Sequence, residues 1–236
     1  MATPRSGNFP DTQAVWIGER LGDGAAGLNE VRAFVMTWYR EPLVTYSRAL
    51  GLGVGPRMAP DDLVHGYFAS RLADPDYFAS WLKSGLRLRH WLKNGLHFFV
   101  REEIRRQSAI NRVEPSGLNA WEDGVPQADD AAFDKQWAIT TLNGASDSAR
   151  AELTRLGRLG DWDVFWAARA RGVSYESLAR EHQITVAQAR QKVHAVGDRL
   201  RNALRDVLVR DGAKPSEVTE DIRRMMEALH GGRDHG

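Results

Sequence analysis

Apolar residues in this chain recur every three to four positions, in blocks separated by runs of Gly, Pro and acid. No stretch alternates apolar with polar as a half-buried strand would. A short helix is expected at Gln13 to Arg20. Leu28 to Leu50 carries Val31, Phe34, Val35, Trp38, Tyr39, Leu43 and Tyr46 at helical spacing. Pro42 interrupts it, which predicts one long kinked helix or two short ones. After the loop GLGVGPRMAP, Asp61 opens DDLVHGYFASRL, with Leu63, Val64, Tyr67, Phe68 and Leu72 on one face. Asp74-Pro75 starts one or two helical turns ending near Ser84-Gly85. Leu86 to Gln107 is a strong helix. Its period buries Leu88, Trp91, Leu92, Leu96, Phe99, Val100 and Ile104 and turns Arg87, Lys93, His97, Arg101 and Arg105 to solvent.

SAINRVEPSGLNAWEDGVPQADD then reads as a linker, because its apolar content is too low to fold alone. A second domain starts near Ala131. One helix is expected around Phe133, Trp137, Ile139 and Leu142, another over Ala149 to Leu159, and a third over Trp162 to Ala170. A helix, tight turn and helix follow over Gly172 to Leu208. The pattern closes with an amphipathic helix, Pro215 to Leu229, whose Met225 and Leu229 brace the second domain. The fold class is all-α, with two helical domains joined by a flexible acidic linker. The layout is a lead-in (1–26), a first domain (27–108), the linker (109–130), a second domain (131–212) and a helical tail (213–236).

Within Gly172 to Leu208, Ser174 caps the first helix and Thr185 the second. Ala179 is small enough for a close helix crossing, and Ile184 plugs the interior after the turn. Gln183 holds the turn position usually taken by Gly, at a cost of about 1 kcal/mol if its φ is positive. The second helix then exposes Gln188, Arg190, Gln191, Lys192 and His194. Polar hydrogen-bonders early and cations around them suit a recognition helix in a major groove. An ordinary antiparallel helix pair in a helical core fits the same spacing.

The 236 residues include no Cys, which excludes disulfides, thiolate metal sites and cysteine nucleophiles. MATPRSGNFPDTQAVW has no apolar core of a signal peptide and no run reaches membrane-spanning length, so a soluble, cytoplasmic chain without membrane contact is expected. The net charge of +1 hides an uneven distribution. Trp81 to Arg112 is rich in Lys and Arg, Val113 to Asp134 is acidic without a cation, and Arg169 to Arg210 is again basic. Two basic modules flanking an acidic stretch suit a grip on a polyanion at two points. The His residues are scattered and form no convergent acid/base set. Asp61-Asp62-x-x-His65 offers one imidazole and is not read as a metal site. No catalytic residue, metal or cofactor is expected.

The order of these pieces resembles the extracytoplasmic-function sigma factors of bacterial RNA polymerase, the two-domain kind with regions two and four. MAPDDLVHGYFASRL is similar to the region-two helix that docks on the β′ clamp. RLRHWLKNGLHFFVREEIRR is similar to the helix that opens and reads the minus-ten element. SYESLAREHQITVAQARQKVHAV is similar to the region-four helix-turn-helix for the minus-thirty-five element. A planctomycete-type subgroup is closer still, through FPDTQAVW, DLVHGYF, Gln136-Trp137-Ala138 and EDIRRMMEAL. The resemblance spans more than 200 residues.

It implies a factor that binds core polymerase, region two on the β′ clamp and region four on the β flap, and directs promoter-specific initiation. Polymerase contact then falls to Asp61, Asp62, His65, Tyr67 and Phe68. Strand capture at the minus-ten element falls to Arg87, Arg89, Lys93, His97, Phe98, Arg101 and Arg105, with Phe98 as the exposed aromatic face for an unpaired base. Upstream contact falls to Thr185, Gln188, Arg190, Gln191, Lys192, His194 and Arg199, with Gln188 and Arg190 at base edges and Lys192 and Arg199 on phosphate. The free chain is expected to be monomeric, and an anti-sigma factor or other regulator is a further possible partner. The chain departs from the family pattern at His65 (usually Gln), Phe98 (usually Asn) and Ala189 (usually β-branched). Alternatives are a dimeric helix-turn-helix regulator, or a sigma-like protein that binds polymerase without initiating.

Overall fold

The structure is a computed structural model that describes residues 15–49, 59–111 and 130–230. The FPDT stretch, the Gly/Pro loop, most of the acidic linker and the final GGRDHG lie outside the described residues. Among the described residues all regular structure is helical. The helices are α1 (Val15–Gly22), α2 (Gly24–Ala49), α3 (Pro60–Arg71), α4 (Pro75–Ser84), α5 (Leu88–Asn111), α6 (Asp130–Arg155), α7 (Leu159–Ala170), α8 (Tyr175–Glu181), α9 (Val186–Arg210) and α10 (Val218–His230). None is long and apolar enough to cross a membrane.

The described residues fall into two compact units. Those up to Thr140, together with those from Leu208 onward, form the first; Thr141–Val207 form the second. The expected boundary near Ala131 therefore moves into a helix. Asp130 to Arg155 is one continuous helix where two were expected: it holds no Pro, and its one Gly, Gly144, costs about 1 kcal/mol against the packing of its apolar face. The tail helix α10 belongs to the first unit and not to the second domain it was expected to brace. Its Met225 is buried beside Trp137, Arg89 and His90.

In the first unit, α2 stays helical through Pro42 and buries Val31, Val35, Tyr39, Leu43, Val44 and Tyr46. Also buried in this unit are Leu63, Val64, Tyr67 and Phe68 of α3, which packs on α2, Phe78 and Trp81 of α4, and Leu88, Leu92, Leu96 and Val100 of α5. Asp74 caps α4 by accepting from the Asp76 N–H, and Gly85 ends it in the left-handed region. The Tyr67 hydroxyl donates to the Leu92 carbonyl (2.9 Å) and pairs with the Tyr77 hydroxyl (2.5 Å). Gly95 makes room for that pair: a Cβ there would lie 2.5 Å from both oxygens. In the second unit, Leu153, Trp162, Val164, Phe165, Leu178, Ala189, Val193 and Val196 form the core.

Candidate nucleic-acid interfaces

The helix-turn-helix of the second unit is built as its residues dictate. The Ser174 hydroxyl accepts from the Ser177 N–H (3.2 Å) at the start of α8. Gln183 has φ of +53°, the one non-glycine residue in the left-handed region among the described residues, and it turns the chain so that the Ile184 N–H reaches the Ala179 carbonyl (3.0 Å). Thr185 and Gln188 then form a reciprocal capping box. The Gln188 N–H donates to Thr185 Oγ1 (3.1 Å), and the Thr185 N–H donates to Gln188 Oε1 (2.8 Å). Ala179 and Ala189, one on each helix of the pair, are buried. Ala189 is thus an interior position, and its small side chain belongs to packing and not to base contact.

Thr185, Gln188, Arg190, Gln191 and His194 are exposed on the early turns of α9. The Arg190 guanidinium lies 5.6 Å over the Tyr175 ring, which holds it near the helix while leaving it at the surface. His194 Nδ1 sits 2.9 Å from Asp198. Lys192 and Arg199 differ. Lys192 Nζ pairs with the buried carboxylate of Asp161, whose other oxygen takes Arg158 Nη2 at 2.7 Å. Burial pushes the Asp161 carboxyl up, but Lys192 and Arg158 together hold it below its ordinary value. Arg199 reaches Glu152 at 3.4 Å and donates to the Ala195 carbonyl at 3.1 Å. Both expected phosphate contacts are therefore tied into the unit. Sequence reasoning missed Asp161 because its acid stands outside the helix-turn-helix.

On α5, Phe98 is 62% exposed and Arg105 is exposed, as the periodicity predicts, and Arg101 is half-buried. The expected solvent face is otherwise covered. Lys93 and His97 are buried, and Arg87 and Arg89 keep only 18% and 14% of their side chains accessible. One turn of α6 supplies part of the cover. Lys93 Nζ lies 5.7 Å over the Phe133 ring and 5.6 Å over Tyr46, whose hydroxyl meets His97 Nε2 at 2.6 Å. Arg89 lies 4.6 Å over the Trp137 ring. The helical period of α5 counts a stripe of charge as solvent-facing unless an unrelated segment covers it, and here one does.

The remaining cover comes from the turn after α9. Gly212 and Ala213 donate to the Val209 and Leu208 carbonyls (3.0 and 2.8 Å), a Schellman stop with Gly212 at φ of +99°. That stop points Asp211 at the start of α5. The Asp211 carbonyl accepts from the Leu88 N–H (2.8 Å). Its carboxylate accepts from the Arg89 N–H (2.9 Å), Arg89 Nη1 (2.7 Å) and the Tyr39 hydroxyl (2.7 Å). Arg87 Nη2 pairs with Glu217 (2.7 Å) and Asp221 (2.9 Å). Burial pushes the Tyr39 hydroxyl well above its ordinary value, with the Asp211 charge adding to it.

The expected polymerase-docking edge on α3 is divided. Asp62 and His65 are exposed. Asp61 does not cap the helix, which starts at Pro60 after Ala59; its carboxylate takes Arg40 (2.6 Å) and Arg48 (2.9 Å) of α2. Tyr67 and Phe68 face the interior, so the exposed-edge role expected for Tyr67 does not hold. Aromatic residues on a helix packed against two others are taken up by the core first. Among the described residues no group of three or more His, Asp or Glu is placed to hold a metal ion. No family model, no curated protein and no solved structure matches this chain.

Proposed function

We propose that the chain is a sigma factor of the extracytoplasmic-function type, which binds core RNA polymerase and directs promoter-specific initiation. The observation that carries this reading is the capped, tight-turned helix pair α8–α9, with Gln188, Arg190, Gln191 and His194 exposed in its first turns. A recognition helix needs that combination of rigid entry and early polar side chains. The order of motifs along the chain supports the rest. An acidic, exposed helix edge (Asp62, His65) precedes a cation-rich helix with an exposed Phe98, and both precede the helix-turn-helix. Carboxylates suit a basic clamp surface, and an exposed aromatic suits an unstacked base. Region two would take the β′ clamp and region four the β flap, and the chain would act in the cytoplasm without cofactor.

Run-off transcription on fragmented host DNA, with purified host core polymerase, tests the reading. Discrete new transcripts that depend on the chain and are lost with Asp62→Ala/His65→Ala support it. Polymerase binding without transcripts leaves a sigma-like regulator. No polymerase binding at all overturns it in favour of a dimeric DNA-binding regulator.

A further inference from the structure

We infer that the segment from Asp211 through α10 is an internal anion that closes the basic face of α5 in the free chain, so that DNA must displace it. The inference rests on the sigma reading of α5 given above. Three carboxylates of one short segment reach the two cations at the start of this helix. Asp211 takes Arg89, while Glu217 and Asp221 share Arg87. Their spacing places negative charge where a nucleic-acid backbone would run, on side chains whose guanidinium forks accept carboxylate and phosphate alike.

The segment is seated and not merely nearby. Gly212 is buried with its backbone against Trp81 and Arg87, and a Cβ there would lie 3.6 Å from the Trp81 ring. Val218 and Met225 of α10 are buried, and the helix walls a cleft of about 280 Å³ with Arg89, His90, Asp134 and Trp137. Beyond this seat the hold is weaker. Glu217 is 44% accessible, and Arg223 and Arg224 answer Glu220 within α10. A graded arrangement follows, in which the Arg87–Glu217 pair opens before the Arg87–Asp221 and Arg89–Asp211 pairs, whose carboxylates are buried. Phosphate competes with Glu217 for Arg87 at the rim without first unfolding the core.

The cost of opening lowers the apparent DNA affinity of the free chain by the fraction of time the face is covered. Core polymerase or promoter DNA that binds the open form shifts the balance. The free factor is thereby kept from engaging DNA away from the polymerase.

The test uses the full chain and a fluorescein-labelled single-stranded DNA of mixed sequence, read by anisotropy. Glu217→Gln/Asp221→Asn removes both charges from Arg87 with little change of shape. The expected result is about tenfold tighter probe binding by the free variant, a typical coupling between linked sites. That gain should disappear when Arg87→Ala is added. Unchanged affinity in a variant that melts like the wild type overturns the inference, provided the holoenzyme still binds promoter DNA. A gain that survives Arg87→Ala overturns it equally. If neither chain binds core polymerase, the sigma reading fails, and this inference with it. Should the variant not fold, amide exchange in wild-type α10 decides: exchange about tenfold faster in the holoenzyme–promoter complex than in the free chain supports release, and equal exchange overturns it.

Discussion

Asp211 and Arg89, 122 residues apart in sequence, form a buried ion pair in which the carboxylate also caps the helix that carries the guanidinium. A helix C-terminus and a helix N-terminus thus meet at one residue. The Asp211 carbonyl and carboxylate satisfy N–H groups at the start of α5 that would otherwise have no partner.

Removing that carboxylate strands several groups at once. Asp211→Ala leaves the Arg89 guanidinium and the Tyr39 hydroxyl without their acceptor in an interior site, and a loss of about 3–5 kcal/mol is expected. Tyr39→Phe removes one hydrogen bond and should cost about 1 kcal/mol. Urea unfolding of both single variants and the double variant checks this. The double variant should fall short of additivity, because the two side chains share one bond.

Lys192→Ala should act on folding before it acts on DNA. Its partner Asp161 is buried, and leaving that carboxylate with Arg158 alone is expected to cost about 1–3 kcal/mol. Arg190→Ala should stay within about 0.5 kcal/mol of the wild type, as surface changes do, while, on the reading proposed above, weakening binding to double-stranded promoter DNA. Thermal melts beside binding titrations separate the two effects. Equal melts would remove the structural role assigned to Lys192.

Gln183→Gly is expected to stabilise the helix-turn-helix by about 0.5–1 kcal/mol. It removes the left-handed strain of a residue with a Cβ, offset in part by the greater freedom of Gly in the unfolded chain. Denaturant midpoints of the two proteins check the sign.

Gly95→Ala should destabilise the first unit by about 1–3 kcal/mol through overpacking, since the new methyl would meet the Tyr67 and Tyr77 hydroxyls. Tyr77→Phe in the same chain should return part of the loss by vacating one oxygen. Calorimetric melts of the wild type, Gly95→Ala and the double variant test this.

His90 contributes a pH dependence of stability whose sign follows from its burial. Burial lowers the pKa of this imidazole, with Arg89 and Lys93 adding to the effect. The unfolded chain therefore takes up its proton first as pH falls, and stability declines below the ordinary imidazole range near 6.5. His90→Gln should remove that part of the slope, which urea unfolding at a series of pH values would reveal.

Most of the helices are legible in the sequence because their apolar faces repeat at 3.6 residues and their ends carry Ser174, Thr185, Asp74 and Gly85. The exposure of Phe98 and the turn at Gln183 are legible for the same local reasons. Lys93, His97 and Arg89 are not. Their burial depends on Phe133, Trp137 and Asp211, which lie far along the chain, and a helical period carries no record of what arrives from elsewhere. Tyr67 fails differently: its ring satisfies both a docking edge and a core face, and only the bond to Leu92 decides. The single helix α6 escapes notice because its large apolar positions stop at Leu142 and resume only at Leu153, so the spacing reads as two helices.

The capping box at the start of α9 also limits what Gln188 can say to a base. Adenine is usually met by an amide that gives one hydrogen bond and takes another. Here the oxygen already accepts from the Thr185 N–H, which pins the amide at the helix entry and commits one of its two lone pairs, while the NH₂ has both hydrogens to offer. On the reading proposed above, Gln188 addresses acceptors first: N7 of either purine, O6 of guanine, O4 of thymine, or a phosphate oxygen. The residue that makes the helix begin where it does has thereby narrowed the alphabet it can read.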